Sequence, residues 1–196
     1  MLANLIVHNG IEFGYSVFQF FKNGKWQYVV VDTQLPYNST AKTPLYGMCS
    51  DAQEFWVPLI EKAYAKLHGS YEKLNGGKMA EGMVDLTGGV SEKYNLTTED
   101  SLGKLEDGTF WKMMKNYLRL GYLIGIAWSK KDENGEQEEG NGQLGILHNH
   151  AYGLLRMEDV TINEHLQLLY IRNPWGSANN AEWTGRFCDD DESWDD

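Results

Sequence analysis

The sequence predicts an α+β protein, in which helices and antiparallel strands occupy separate stretches of the chain. A β-rich hairpin spans residues 17–32, two amphipathic helices span residues 54–67 and 109–120, and apolar strands fill much of the second half. The strands and helices do not alternate as in a parallel sheet, so an α/β class is not expected. The 196 residues are enough for one large core or two small ones.

The hairpin and the first helix carry the clearest local signals. Asn23-Gly24 separates the two β-rich runs, and this dipeptide favours a hairpin turn because both of its residues accept positive φ. Apolar residues then recur at helical spacing from Phe55, and Gly69 supplies a stop. Pro58 is compatible with a helix that starts near Phe55, because the N–H groups of the first turn have no intrahelical partner.

The second half reads as one helix followed by strands. The second helix, over residues 109–120, is followed by Gly121. Strands are predicted over residues 122–128, 146–157 and 166–171, and a polar, acidic stretch over 131–142 predicts an exposed loop. Glycine pairs between Asn75 and Gly89 predict a boundary, with subdomains at residues 1–80 and 81–196.

The charge and composition exclude several classes of function. A net charge of −11 and a pI near 4.9 argue against nucleic-acid binding and favour a cationic partner. No apolar run is long enough for a membrane span, and no secretion signal is visible. The two cysteines form no disulfide framework, which favours a reducing, cytoplasmic location. Six of the last eight residues are acidic, as in a solvated tail or part of a hard-cation site.

Two polar residues at strand ends are candidates for catalysis. His150 enters one predicted strand, and Asn173 ends the next one, before Pro174 and Trp175. If the strands are antiparallel neighbours, the two side chains meet, and an asparagine oxygen can then fix the tautomer and orientation of the imidazole. This is the arrangement of a Cys-His-Asn protease. The alternative for Asn-Pro-Trp-Gly is a turn with a packed tryptophan.

Several motifs in one order resemble the calpains, which are calcium-dependent intracellular cysteine proteases with a papain-like core of two subdomains. The matching segments cover most of the chain. They are Gly24-Lys25-Trp26 to Asp32, Glu54-Phe55-Trp56 to Leu67, Asp85-Leu86-Thr87-Gly88-Gly89, His150-Ala151-Tyr152, Arg172-Asn173-Pro174-Trp175-Gly176 and Glu182-Trp183-Thr184-Gly185. The resemblance implies the papain-like fold of a calpain core, with an incomplete first subdomain and a β-rich second subdomain.

The resemblance also implies roles for individual residues. His150 is expected to be the general base for a cysteine thiolate, Asn173 its orienting partner, and Trp175 the indole that shields the pair from water. Calcium is the implied cofactor, because calpains bind one calcium ion in each subdomain.

For calcium, Glu61 matches a ligand of the first site. Glu182 and Asp189 match ligands of the second. Carboxylate oxygens suit calcium. Each set is incomplete in this chain, so weak calcium binding is expected.

The chain departs from the family at the nucleophile. It contains no Gln-Gly-x-x-Gly-x-Cys-Trp segment, Cys49 lies in a loop where calpains have no nucleophile, and acidic neighbours of Cys188 disfavour a thiolate. An upstream cysteine-bearing segment is therefore expected to complete the active site. Asn149 stands where calpains usually have glycine, and its side chain could crowd the approach of substrate.

The predicted function is that of a calpain-like, calcium-dependent cysteine endopeptidase acting on protein substrates. Without the nucleophile, the chain alone is expected to be inactive. The alternative is a non-catalytic calpain-like module that binds protein or calcium.

Overall fold

The computed structural model describes residues 2–51, 53–130, 140–161, 164–175, 182–188 and 191–194. The chain folds into two compact units, residues 1–93 and 94–196. Each unit combines helices with antiparallel strands, so the predicted α+β class is confirmed. The predicted boundary between residues 80 and 81 falls inside a helix, Met79–Thr87, and the first unit ends only at Lys93.

The first unit is built on a three-stranded antiparallel sheet in the order β1-β2-β3. Its turn at Asn23 and Gly24 has φ values of 53° and 75°, which is the conformation that the Asn-Gly pair predicts. The elements of this unit are β1 (Ile6–Gly10), β2 (Tyr15–Lys22), β3 (Lys25–Asp32), β4 (Tyr37–Asn38), β5 (Thr43–Pro44), α1 (Trp56–His68) and α2 (Met79–Thr87).

Alternation along the hairpin creates the core of the first unit. Phe18 and Phe20 of β2 point to the same face as Val29 of β3, because side chains alternate between the two faces of a strand. Leu59 and Ala63 of α1 pack against this face. Pro58 lies in the first turn of α1, where it costs no intrahelical hydrogen bond.

Helix α2 is fastened to the first unit by a buried carboxylate. Asp85 is 5% exposed, and its Oδ2 accepts hydrogen bonds from Lys22 Nζ at 2.7 Å and from Tyr64 OH at 2.8 Å. His68 Nε2 lies 3.3 Å from the same oxygen. These contacts join α2 to both β2 and α1.

The second unit contains a three-stranded antiparallel sheet in the order β10-β9-β6. Its elements are α3 (Glu99–Glu106), α4 (Thr109–Arg119), β6 (Ile124–Ala127), β7 (Gly140–Gln143), β8 (Ile146–His148), β9 (Ala151–Thr161) and β10 (His165–Arg172). The strand predicted over 146–157 is divided into β8 and β9 at Asn149 and His150. The end of the predicted loop forms β7, which pairs with β8, and residues 131–139 lie outside the described residues.

A β-bulge changes the alternation along β9. Arg156 pairs with Tyr170 and Leu154 pairs with Ile171, so Leu155 is an extra residue in β9. Leu154 and Met157 are therefore both buried, although three positions separate them, and they pack against Met114 of α4. Across the described residues, no helix is long and apolar enough to cross a membrane.

Candidate active site

His150 occupies the junction between β8 and β9. The residue is 5% exposed, and its ring packs edge-on against Tyr152 at a centroid distance of 4.9 Å. The ring of Trp175 lies on it at 4.4 Å. The imidazole is therefore held between two aromatic rings on a sheet, where its orientation is restricted.

Asn173 follows the last residue of β10, and the strand register explains why it meets His150. Gly153 pairs with Arg172 in the antiparallel β9-β10 ladder. Extending this ladder by one residue places Asn173 opposite Tyr152, and His150 lies two residues before Tyr152, on the same face of the strand. The antiparallel arrangement that the sequence analysis required is present.

The hydrogen bonds at Asn173 define the tautomer of His150. Asn173 Oδ1 lies 2.8 Å from His150 Nε2 and 3.0 Å from the backbone nitrogen of Trp175. Because a backbone N–H can only donate, the side-chain atom that it faces must be the oxygen, and His150 Nε2 must then carry a hydrogen. In the neutral imidazole the lone pair is consequently on Nδ1, the atom that can take a proton.

Trp175 combines two contacts with this pair. Its backbone donates to Asn173, and its indole packs on the imidazole, while 40% of the residue remains exposed. The structure therefore brings His150, Asn173 and Trp175 together. Tyr152 belongs to the same cluster and was not predicted, although its position two residues after His150 places it on the same face of β9.

Asn149 binds the main chain of Lys130 through both ends of its side-chain amide. Its Oδ1 accepts from Lys130 N at 2.9 Å, and its Nδ2 donates to Lys130 O at 2.7 Å. The residue has a φ of 57°, the left-handed region that asparagine tolerates better than most residues. The side chain thus binds the backbone of Lys130, and its Nδ2 also lies 3.3 Å from His148 Nδ1.

Glu61 lies on α1 in the first unit, beside a small hollow. Its Oε2 accepts a hydrogen bond from Gly47 N at 2.8 Å. Burial and the neighbouring Glu61 carboxylate raise the pKa of Tyr71, whose ring stacks on Tyr46 at 4.1 Å. The hollow is lined by Leu35, Pro36, Pro44, Tyr46, Gly47, Pro58, Glu61 and Tyr71. Glu61 is the one carboxylate in this lining, so the donor set does not fit calcium by itself.

The other two predicted calcium ligands belong to the second unit. Glu182 is exposed, and Asp189 lies outside the described residues. Asp191 accepts hydrogen bonds from the backbone nitrogen of Ser193 and, with a smaller effect, from that of Phe187, and these bonds lower the pKa of its carboxyl group. Within the described ranges, no three His, Cys, Asp or Glu side chains form a group that could hold a metal ion. The described donors therefore do not fit a complete calcium site.

Comparisons with known proteins define the family. A sequence profile described as "Calpain family cysteine protease" matches residues 2–196. The chain is 36% identical over 183 residues to the calpain-type cysteine protease ADL1 of Oryza sativa subsp. japonica, covering 93% of this chain and 8% of that protein. It is 38% identical over 179 residues to calpain clp-4 of Caenorhabditis elegans, covering 90% of this chain and 23% of that protein.

A further relative is calpain-9 of Rattus norvegicus, which is 36% identical over 178 residues, or 90% of this chain and 24% of that protein. The chain belongs to the calpain family of cysteine proteases. Its mixed helices and antiparallel sheets agree with the papain-like α+β fold predicted for this family. It spans between 8% and 24% of the length of these three relatives.

Proposed function

We propose that this chain supplies the histidine and asparagine of a calpain-type cysteine endopeptidase that cleaves protein substrates. The 2.8 Å contact between His150 Nε2 and Asn173 Oδ1 carries the proposal. Because Nε2 bears the hydrogen, Nδ1 is the basic atom of the neutral ring. Membership of the calpain family supports a thiol as the group on which this base acts.

The proposed reaction follows the chemistry of an activated cysteine. Nδ1 of His150 takes the thiol proton, and the thiolate attacks the carbonyl carbon of the scissile peptide bond. When the C–N bond breaks, the amine leaves with the proton from Nδ1, and a thioester remains. Water then gives a proton to Nδ1 and attacks the thioester. The acid product departs, and the thiol regains its proton.

The nucleophile is proposed to be a cysteine outside these 196 residues. Neither Cys49 nor Cys188 stands in the glycine-rich segment with Cys-Trp that precedes the active site in calpains. Both residues are described, and neither forms a disulfide. We therefore also propose that an upstream segment completes the site and that the chain alone is inactive.

The test uses the longest natural translation product that contains this chain. We expect it to hydrolyse a fluorogenic peptide and to be labelled by an acylating cysteine-protease probe, and we expect His150→Ala to abolish both. His165→Ala is the matched control, because His165 is a 60% exposed histidine of the same unit. If the product folds but is neither active nor labelled, the protease proposal is wrong and a non-catalytic binding module is favoured.

Three further parts of the proposal rest on family membership. They are regulation by calcium, a cytoplasmic location, and the assignment of the two units to the first and second subdomains of a protease core. The acidic net charge of −11 supports a cationic ligand. No chemical step is assigned to calcium, since the described carboxylates form no complete site.

A further inference from the structure

The side-chain amide of Asn149 forms a pair of hydrogen bonds with the main chain, as the peptide group of a neighbouring strand would. Lys130 N–H can only donate and Lys130 C=O can only accept, so the orientation of the Asn149 amide is fixed by its partners. Its backbone N–H also donates to Trp128 O at 2.7 Å. Three hydrogen bonds thus connect one residue to the stretch that continues from the end of β6.

The same stretch holds the backbone on the other side of His150. Ala127 of β6 pairs with Ala151, the first residue of β9. Trp128 forms a parallel bridge with His148, the last residue of β8. Residues 127–130 therefore bind the main chain on both sides of His150: His148 and Asn149 precede it, and Ala151 follows it.

The left-handed backbone of Asn149 gives this arrangement its geometric effect. Asn149 lies between β8 and β9 with a φ of 57°, so its backbone conformation sets the direction of the next Cα–Cβ bond. That bond belongs to His150, whose Nε2 must reach Asn173 Oδ1. A small backbone rotation at Asn149 therefore moves the imidazole of His150 by a larger distance, because the ring lies at the end of the side chain, away from the axis of rotation.

We propose that Asn149 is a positioning residue for His150: its paired hydrogen bonds to Lys130 hold the imidazole in register with Asn173. This inference rests on the proposed function, because it concerns the histidine assigned there as the base. Asn149 itself is not proposed to touch substrate.

The test measures the His150 ring by ¹⁵N NMR in the full 196-residue chain. Asn149→Gly permits the same φ but removes the side-chain amide, whereas Asn149→Asp retains an acceptor for Lys130 N–H and loses the donor to Lys130 O. We expect the ring Nε2–H of His150 to exchange with water about tenfold faster in Asn149→Gly, with a mixed tautomer population. Asn149→Asp should give a smaller change of the same kind.

The matched control is Asn23→Gly, because Asn23 also has a left-handed φ of 53° but lies in the hairpin turn of the other unit. It should leave the His150 signals unchanged. The wild-type chain provides a second measurement, since Lys130 N–H should be protected from hydrogen exchange. Unchanged His150 exchange and tautomer in both Asn149 variants, or an unprotected Lys130 amide, would overturn the inference.

These readouts require no nucleophile. The inference can therefore fail while the longer protein retains peptidase activity, and it can hold if no peptidase activity is found.

Discussion

Asn173 acts through one oxygen that accepts two hydrogen bonds. Trp175 N–H holds this oxygen at 3.0 Å, and His150 Nε2 meets it at 2.8 Å. The backbone contact provides an orientation of the Asn173 amide that does not require the imidazole. The tautomer of His150 is consequently set by a turn in the main chain.

Replacing Asn173 by Ala should release the tautomer of His150. Without the Oδ1 acceptor, hydrogen on Nε2 loses its advantage over hydrogen on Nδ1, and ¹⁵N shifts of the chain should report both forms. If the proposed function is correct, kcat of the longer protein should fall, by at most the roughly 10²- to 10⁴-fold that a positioned general base contributes, because the base His150 remains. Asn116→Ala is the control, because Asn116 contacts Arg119 on α4. A single unchanged tautomer in Asn173→Ala would contradict this prediction.

Gly47 lies close to the carboxylate of Glu61. A Cβ atom at position 47 would lie 2.9 Å from Glu61 Oε2. Gly47→Ala should therefore displace the Glu61 carboxylate, disturb its hydrogen bond and lower the free energy of unfolding by about 0.5–1.5 kcal/mol, as measured in urea. Gly82→Ala is the control, because a Cβ there meets nothing within 4 Å. In a helix interior it should stabilise by about 0.5–1 kcal/mol; equal effects of both changes would refute the prediction.

At the scale of elements, α2 depends more on the tertiary contacts of Asp85 than on the helix propensity of its residues. The helix is only nine residues long and contains Gly82, so its intrinsic stability is low. Contacts of Asp85 with Lys22 and Tyr64 supply what local propensity does not. Burial, and secondarily the hydrogen bond to the Asp85 carboxylate, raise the pKa of Tyr64.

This raised pKa predicts a loss of stability in alkali. The unfolded chain releases the tyrosine proton near pH 10, whereas the folded protein retains the proton on Tyr64. The free energy of unfolding should therefore fall as the pH rises above about 10, and Tyr64→Phe should fall less steeply because phenylalanine has no proton to lose. From pH 7 to 9 the free energies of unfolding of wild type and Tyr64→Phe should change in parallel, with that of the variant about 1 kcal/mol lower. If the free energy of unfolding fell with the same slope in both proteins above pH 10, the role of Tyr64 in this loss would be refuted.

Helix α4 is connected to β9 by the carboxylate of Asp159. Asp159 Oδ2 accepts from Lys115 Nζ at 2.6 Å and from Trp111 Nε1 at 3.2 Å. These hydrogen bonds, that of Lys115 first, hold the pKa of Asp159 below its ordinary value. The ionised form is therefore the form that stabilises the contact between helix and strand.

The stability conferred by Asp159 should be lost in acid. A lowered pKa contributes stability above the unfolded value of about 3.9, and this contribution disappears as the pH falls through the folded value. Asp159→Asn should be less stable than wild type at pH 7, and the difference should shrink below about pH 4. Chemical denaturation at each pH measures the difference; a gap that is constant or widens in acid would exclude this role.

The elements that the sequence predicts are those with strong local signals. The hairpin at Asn23-Gly24 and the helix around Ala63 follow from turn chemistry and periodicity. The antiparallel pairing that brings His150 to Asn173 was only a condition of the sequence argument, and the structure supplies it. Helices α2 and α3 are absent from the prediction, because they are short, contain glycine and rely on tertiary or capping contacts. The bonds between Asn149 and Lys130 join residues 19 apart, and no spacing rule predicts them.

At the scale of the whole molecule, the negative charge should make stability depend on salt. The net charge of −11 produces self-repulsion in the compact state, and added salt screens it. At pH 7 the melting temperature should rise as NaCl increases from about 0.01 to 0.15 M, over which the Debye length shortens from roughly 30 to 8 Å. Near the pI of 4.9 the same titration should have a smaller effect. A melting temperature that falls with salt at pH 7 would disprove this expectation.

The bulge at Leu155 gives β9 one residue more than its pairing with β10 uses. Leu155 is 53% exposed and is skipped in the β9-β10 ladder. Without Leu155, Leu154 would still pair with Ile171 and Arg156 with Tyr170, so an in-frame deletion of this one codon would leave His150 on the same face as Asn173. A related gene could therefore lack this codon and still keep the pair, so an alignment gap at this position would not indicate that the pair is lost.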